Sequence, residues 1–190
     1  MREILSMIIV LSLICGASGY ALSMLKEITA PAIEEQVLTY VQGPALKRVC
    51  PSATNDPIAD RKAFTLDGQS IMVFPYKQGD KLLGVALEGK GKGFGGDIGV
   101  MVGFNLDNDS LIGIGVTEMR ETPGLGTKVA EPKFAGQFTG KPMNVELTAK
   151  GGTIDAISGA TISSAGTVLA VQSASKDFQA LKAEIQKTWQ

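Results

Sequence analysis

The chain has 190 residues, with 18 Lys and Arg against 19 Asp and Glu, a net charge of −1, 23 Gly, 2 Cys and no His. Without His there is no Ser-His-Asp triad, no Cys-His nucleophile pair, no His metal ligand and no His-ligated haem, and a near-zero charge without a basic block argues against nucleic-acid binding. Cys15 lies inside an uncharged apolar run and Cys50 well outside it, so the two thiols make neither an intrachain disulfide nor a metal cluster.

That apolar run, residues 4–25, carries no charge over 22 positions. A helix of this length rises about 33 Å, which matches a hydrocarbon core of about 30 Å. The run predicts a transmembrane anchor over residues 1–25. A cleaved signal peptide is the competing reading; an n-region in which Glu3 offsets Arg2, and the length of the run, oppose it. A lipoprotein would use Cys15, but Ile14 precedes it where a small residue is wanted. Arg2 and the terminal amine, set against Lys26, favour a cytoplasmic N-terminus with the following domain on the periplasmic or extracellular side. Gly16, Gly19 and the spaced Ser residues permit close packing on other membrane helices.

Residues 26–48 read as a helix continuing outward, with Thr29 as a cap, Pro31 in a first turn, and Ile33, Val37 and Val41 recurring every four. Gly43-Pro44 interrupts it and Cys50-Pro51 ends it. Residues 52–69 are polar and turn-rich, so residues 26–69 form a helical stalk and connecting segment. A single folded domain is expected over 70–190.

Within that domain, residues 70–76 and 81–88 predict two strands joined around Gly79-Asp80, and residues 97–105 and 111–118 a second pair across Asp107-Asn108-Asp109. Residues 129–138 predict a short helix, 143–148 a strand, and 161–171 and 177–189 two helices. Strands joined by hairpins and irregularly mixed with helices give an α+β domain on a largely antiparallel, twisted sheet with flanking helices.

Three segments do not read as plain fold. Residues 89–96 (GKGKGFGG) hold five Gly in eight positions. Such a loop lets backbone approach a ligand and offers N–H groups and two Lys to an anion, or it is only a flexible connection. No Lys-Ser or Lys-Thr follows it, so it is not a nucleoside-triphosphate loop. Residues 121–126 (ETPGLG), followed by Thr127-Lys128, form a tight Pro-Gly turn that holds Leu125 at its tip. An apolar side chain there either covers something or folds back to the core. In residues 155–161 (DAISGAT) a short strand ends, a Gly turns the chain, and a helix begins near Thr161. This sets a hydroxyl among the free N–H groups of a helix N-terminus, where phosphate is favoured. A helix cap that needs no ligand is the alternative.

The DAISGAT segment resembles the flavinylation motif, Asp-x-x-Ser/Thr-Gly-Ala-Thr, of the FMN-binding domain family. The ETPGLG loop and the Gly-rich segment resemble that family in the same order. Together with one N-terminal membrane helix, they are similar to the G subunits of Rnf-type electron-transport complexes, with the C subunits of sodium-pumping NADH:quinone oxidoreductases as a related branch. The resemblance implies that Thr161 carries FMN through a phosphoester and that Ser158, Gly159 and Ala160 present it. It further implies that Glu121, Thr122, Leu125 and Gly126 lie near the ring, with Lys128 and Gly95-Gly96 as further contacts. Asp155 would be read by the attaching enzyme. No metal ligand and no residue catalytic by itself is expected.

The resemblance implies an electron-carrying subunit of an ion-translocating oxidoreductase. It would work beside iron–sulfur and flavin subunits in the cytoplasmic membrane, couple ferredoxin and NAD redox chemistry to Na⁺ or H⁺ movement, and be loaded by a flavin transferase using FAD. The alternatives are a stand-alone anchored flavoprotein with an external acceptor, a C-type subunit of a sodium-pumping NADH:quinone oxidoreductase, and a non-redox module whose Ser-Gly-Ala-Thr is only a cap.

Overall fold

The computed structural model describes residues 2–79 and 81–189, and the chain forms two compact units, Met1–Thr39 and Tyr40–Gln190. In the first, α1 (Arg2–Val37) is long and apolar enough to cross a membrane. Leu5, Ile8, Leu11, Ile14 and Leu22 on it are all exposed, as in a helix whose solvent is lipid. The helix continues outward past residue 26 as expected, as far as Val37, but Thr29 does not cap it. Thr29 lies inside α1, and its hydroxyl donates to the Leu25 carbonyl one turn back at 2.8 Å. Pro31 is also interior, where its ring deletes one ladder hydrogen bond. The interruption expected at Gly43-Pro44 takes the form of a π-helical turn, Leu38–Gln42, followed by α2 (Gly43–Val49) with Pro44 in its first turn.

The second unit is built on five antiparallel strands in chain order: β1 (Lys62–Leu66), β2 (Gln69–Gln78), β3 (Lys81–Lys92), β4 (Asp97–Asn105) and β5 (Leu111–Glu118). β4 and β5 have the expected bounds. β2 and β3 run longer than expected, and β3 absorbs the first half of the Gly-rich segment. β1 falls in a stretch read as turns. Of the Gly79-Asp80 hairpin, Gly79 has φ +62°, and Asp80 lies outside the described residues.

The two helices expected over 161–171 and 177–189 are one, α4 (Thr161–Trp189). The helix expected over 129–138 is broken into a 3₁₀ turn, Gly126–Ala130, a single α turn α3 (Pro132–Ala135), and a second 3₁₀ turn, Gly136–Phe138. Residues 143–148 do not form a strand. They carry one isolated parallel bridge, Leu147 to Ile154, and then a 3₁₀ turn begins.

Side chains alternate across a sheet, and here both faces are covered. On one, Leu87, Val100, Val102 and Phe104 meet Val171, Ala174 and Phe178 of α4 in the main core. The Phe104 and Phe178 rings stack with centroids 4.5 Å apart and planes within 4°. On the other, α2 lies so close that a Cβ on Gly115 would touch Ala45 at 3.0 Å. This double cover explains why β4 is buried along almost its whole length.

The glycines of β3 decide where α4 sits. A Cβ on Gly89 would collide with the Ala170 carbonyl, one on Gly91 with the Gly166 carbonyl, and one on Gly166 with backbone at Lys92 and Gly93. Over Gly89 and Gly91 the helix therefore rests directly on strand backbone. This seating fixes the N-terminal turn of α4 beside the β3–β4 connection.

Candidate functional site

The chain reaches α4 through a tight turn. The Ala160 N–H donates to the Ile157 carbonyl at 2.9 Å, and Gly159 has φ +79°, a conformation that L side chains resist. Ser164 locks the turn: its hydroxyl accepts from the Ile157 N–H at 3.0 Å and donates to the Ala160 carbonyl at 2.9 Å. The cap that the sequence suggests at Thr161 is therefore not what ties the turn down. Thr161 is the first residue of the helix, exposed, and its hydroxyl makes no hydrogen bond to the described residues. The first-turn N–H groups of this 29-residue helix supply the positive end of its dipole.

Beside Thr161 opens a cavity of about 340 Å³ lined by Phe94, Glu121, Thr122, Leu125, Gly126 and residues 159–163. Three chain segments far apart in sequence meet here: the Gly-rich β3–β4 connection, the ETPGLG loop and the start of α4. Phe94, Leu125 and Ile162 are exposed apolar side chains on its wall. Leu125 does not fold back to the core. Its loop is set by Leu125 N–H to Thr122 carbonyl (3.2 Å) and by Gly124 N–H to Thr127 Oγ1 (2.9 Å). Gly159 is near enough that a Cβ on it would touch Leu125 Cδ1 at 3.2 Å.

Glu121 is buried at the base of this cavity, 8% exposed. One carboxylate oxygen accepts from the Gly95 N–H at 3.0 Å and the other from the Ser163 hydroxyl at 2.5 Å.

The sequence-derived residues thus divide. Glu121, Thr122, Leu125, Gly126, Gly159, Ala160 and Thr161 share the cavity. Ser158 and Lys128 do not line it. They line a second, more polar hollow of about 680 Å³ on the other side of the turn, with Asp155, Lys133 and Gln137. Gln137 holds Asp155 there by its main chain, accepting from the Asp155 N–H at 2.8 Å and donating to its carbonyl at 3.2 Å. Gly95 and Gly96 contribute backbone geometry but no cavity wall. Gly89 and Gly91 are strand residues packed beneath the α4 backbone and line neither cavity. Phe94, Ile162 and Ser163 were not among the sequence-derived site residues. Phe94 could have been found as a lone aromatic between glycines, and Ile162 as an apolar residue on the exposed side of the helix.

Comparison with known proteins places these features. Residues 93–176, which span the β3–β4 connection, the Glu121 loop and the first half of α4, match the FMN-binding domain family. The chain is 36% identical over 138 residues to the G subunit of the ion-translocating oxidoreductase complex of Methanosarcina acetivorans, covering 70% of this chain and 72% of that protein. It is 28% identical over 189 residues to the G subunit of the Na⁺-translocating ferredoxin:NAD⁺ oxidoreductase complex of Acetobacterium woodii, covering 91% and 90%. In fold it resembles the crystal structure of Shewanella oneidensis NqrC, with a TM-score of 0.55 over 73% of this chain and 74% of that one, at 23% identity.

Proposed function

This chain belongs to the FMN-binding-domain family of G subunits of ion-translocating oxidoreductase complexes, and from that premise we propose that Thr161 carries the FMN as a covalent phosphoester. The protein transfers electrons in a membrane complex that couples this transfer to ion translocation, and α1 is its single membrane span. The observation that supports covalent attachment is the placement of the Thr161 hydroxyl. It is exposed, free of protein partners among the described residues, at a helix N-terminus and on the rim of a cavity with apolar walls.

The residues fit the group. A cavity of about 340 Å³ is at the small end of ligand sites, about 300–1,000 Å³, and suits the ring system rather than a whole dinucleotide. Phe94, Leu125 and Ile162 offer apolar contact to the ring, and Thr122 and Gly126 line the same wall. The phosphate falls at the first turn of α4, where free N–H groups and the helix dipole favour an anion. FMN, when bound, accepts and gives up electrons one or two at a time.

In attachment, Thr161 Oγ forms a bond to the flavin-side phosphorus of FAD held by a flavin transferase. The bond from that phosphorus to the bridging oxygen breaks, AMP leaves with the bridging oxygen, and the hydroxyl proton passes to solvent. Ser158, Gly159 and Ala160 present the hydroxyl, and Asp155, exposed in the second hollow beside Lys128 and Lys133, is the acidic feature that the transferase reads. The domain faces the periplasmic or extracellular side, where free FMN would be lost by diffusion and a covalent tether retains it. The neighbours in the complex are iron–sulfur and flavin subunits that link ferredoxin and NAD to Na⁺ or H⁺ movement.

The test is mass spectrometry of the Thr161 peptide from the full chain co-expressed with such a transferase. The peptide is expected heavier by FMN less one water. Thr161→Ala is expected to abolish in-gel flavin fluorescence while leaving the circular dichroism unchanged. An unmodified wild-type peptide refutes the attachment.

A further inference from the structure

Glu121 is an unusual wall residue. Both its oxygens accept hydrogen bonds, from the Gly95 N–H and from the Ser163 hydroxyl, as those of an ionised carboxylate do. Among the described residues no ion pair reaches it. Arg120, its neighbour in sequence, lies instead alongside Gly96. A buried carboxylate without a cation is costly to keep, so its surroundings are informative.

They are shaped to the carboxylate. A Cβ on Gly93 would collide with one Glu121 oxygen, and a Cβ on Gly126 would reach 2.6 Å from the other. One glycine therefore stands beside each oxygen, and each oxygen has one donor. The glycine that opens Gly-Phe-Gly-Gly and the glycine that closes ETPGLG both make room for a charge rather than for a ligand. Every segment of the cavity contributes to this seat.

We propose that Glu121 sets the charge preference of the bound flavin: its carboxylate, buried in the cavity wall without an ion-pair partner among the described residues, disfavours every reduced form of the ring that carries an added negative charge. The inference rests on the ring occupying this cavity. When the flavin takes up one electron without a proton, one unit of negative charge is added, and the carboxylate charge, poorly screened within the wall, opposes it. The electron comes from a one-electron donor such as a reduced iron–sulfur centre, which is oxidised in the same step. Glu121 itself neither gains nor loses an electron. It touches no reacting atom by this account and acts by its fixed charge.

The experiment is a spectroelectrochemical titration of the full, flavin-loaded chain in detergent, comparing wild type with Glu121→Gln. The substitution keeps the shape and an oxygen for the Gly95 N–H but removes the charge. In the molecules that carry flavin, the equilibrium for the first electron is expected to shift at least tenfold toward reduction, about 59 mV for one electron. An unchanged or lowered midpoint overturns the proposal. Should Glu121→Gln fail to fold or load, Ser163→Ala decides. It leaves the carboxylate charged with one donor fewer, and the midpoint is expected to fall; a rise or no movement overturns the proposal. Wild-type chain without bound flavin would refute the attachment at Thr161 instead. Loaded wild type with midpoints insensitive to both variants refutes only the role of Glu121.

Discussion

Gly91 of β3 lies directly beneath Gly166 of α4, close enough that a Cβ on Gly91 would overlap the Gly166 carbonyl oxygen. Backbone, not a movable side chain, is the obstacle. Gly91→Ala is expected to destabilise the domain by about 3 kcal/mol, the upper part of the range for overpacking. Gly136→Ala is the control. That residue has helical φ −65° and open space around it, so its urea midpoint is expected to stay level or rise slightly.

The stacked pair Phe104 and Phe178, both fully buried, ties β4 to the middle of α4. Phe178→Ala is expected to cost about 3–5 kcal/mol, measured by urea denaturation of the full chain in detergent. A loss below about 1 kcal/mol would show that α4 is held mainly elsewhere.

Cys50 is buried at the end of α2, and burial pushes its thiol up to about 12. Since the thiolate is the reactive form, the folded protein is expected to resist a maleimide at Cys50 at neutral pH and to label fully once unfolded. Rapid labelling of the folded chain at that position would contradict this burial.

Asp177 is raised above the ordinary carboxylate range by burial, then by the Asp67 carboxylate, against a smaller downward pull from Lys176. A raised carboxylate favours the folded state when protonated. The associated stability is complete below the unfolded value of about 3.9 and is lost as pH rises through the folded one. Asp177→Asn is therefore expected to stabilise the domain at pH 7, with a gain that shrinks as the pH falls through the raised folded value and is gone below the unfolded value of about 3.9. An equal gain at both pH values would rule this cause out.

The Asp155 side chain is solvent-exposed and its main chain is clamped by Gln137. Asp155→Asn is expected to lower flavin incorporation tenfold or more while leaving stability within about 0.5 kcal/mol. Gln137→Ala, which frees the main chain, is expected to lower incorporation less. In-gel fluorescence normalised to protein reads both.

The segments that line the candidate site are legible because they break ordinary patterns. An apolar residue at the tip of a Pro-Gly turn and a Ser-Gly-Ala-Thr run before a helix each need a reason, and both meet at one cavity. The hairpin strands were legible from their alternation. What was hidden depended on tertiary packing. Residues 172–176 look like a break between two helices, yet Ala174 and Ser175 are buried because α4 lies on the bare backbone of Gly89 and Gly91. β1 shows a single buried residue, Phe64, too little for a period to emerge. The glycines of 89–91 read as a flexible loop because sequence does not reveal which backbone will be approached by another backbone. The role of Gly93 and Gly126 in seating Glu121 was hidden for the same reason.

The order of the sheet follows the order of the chain, and α4, made after all five strands, both closes the core and opens with Thr161. A ribosome that stalls before this helix releases five strands with an uncovered face and without the hydroxyl proposed to receive the flavin. With attachment at Thr161 as proposed, premature termination yields chains that cannot be charged, and the cofactor marks copies whose synthesis ran past that residue.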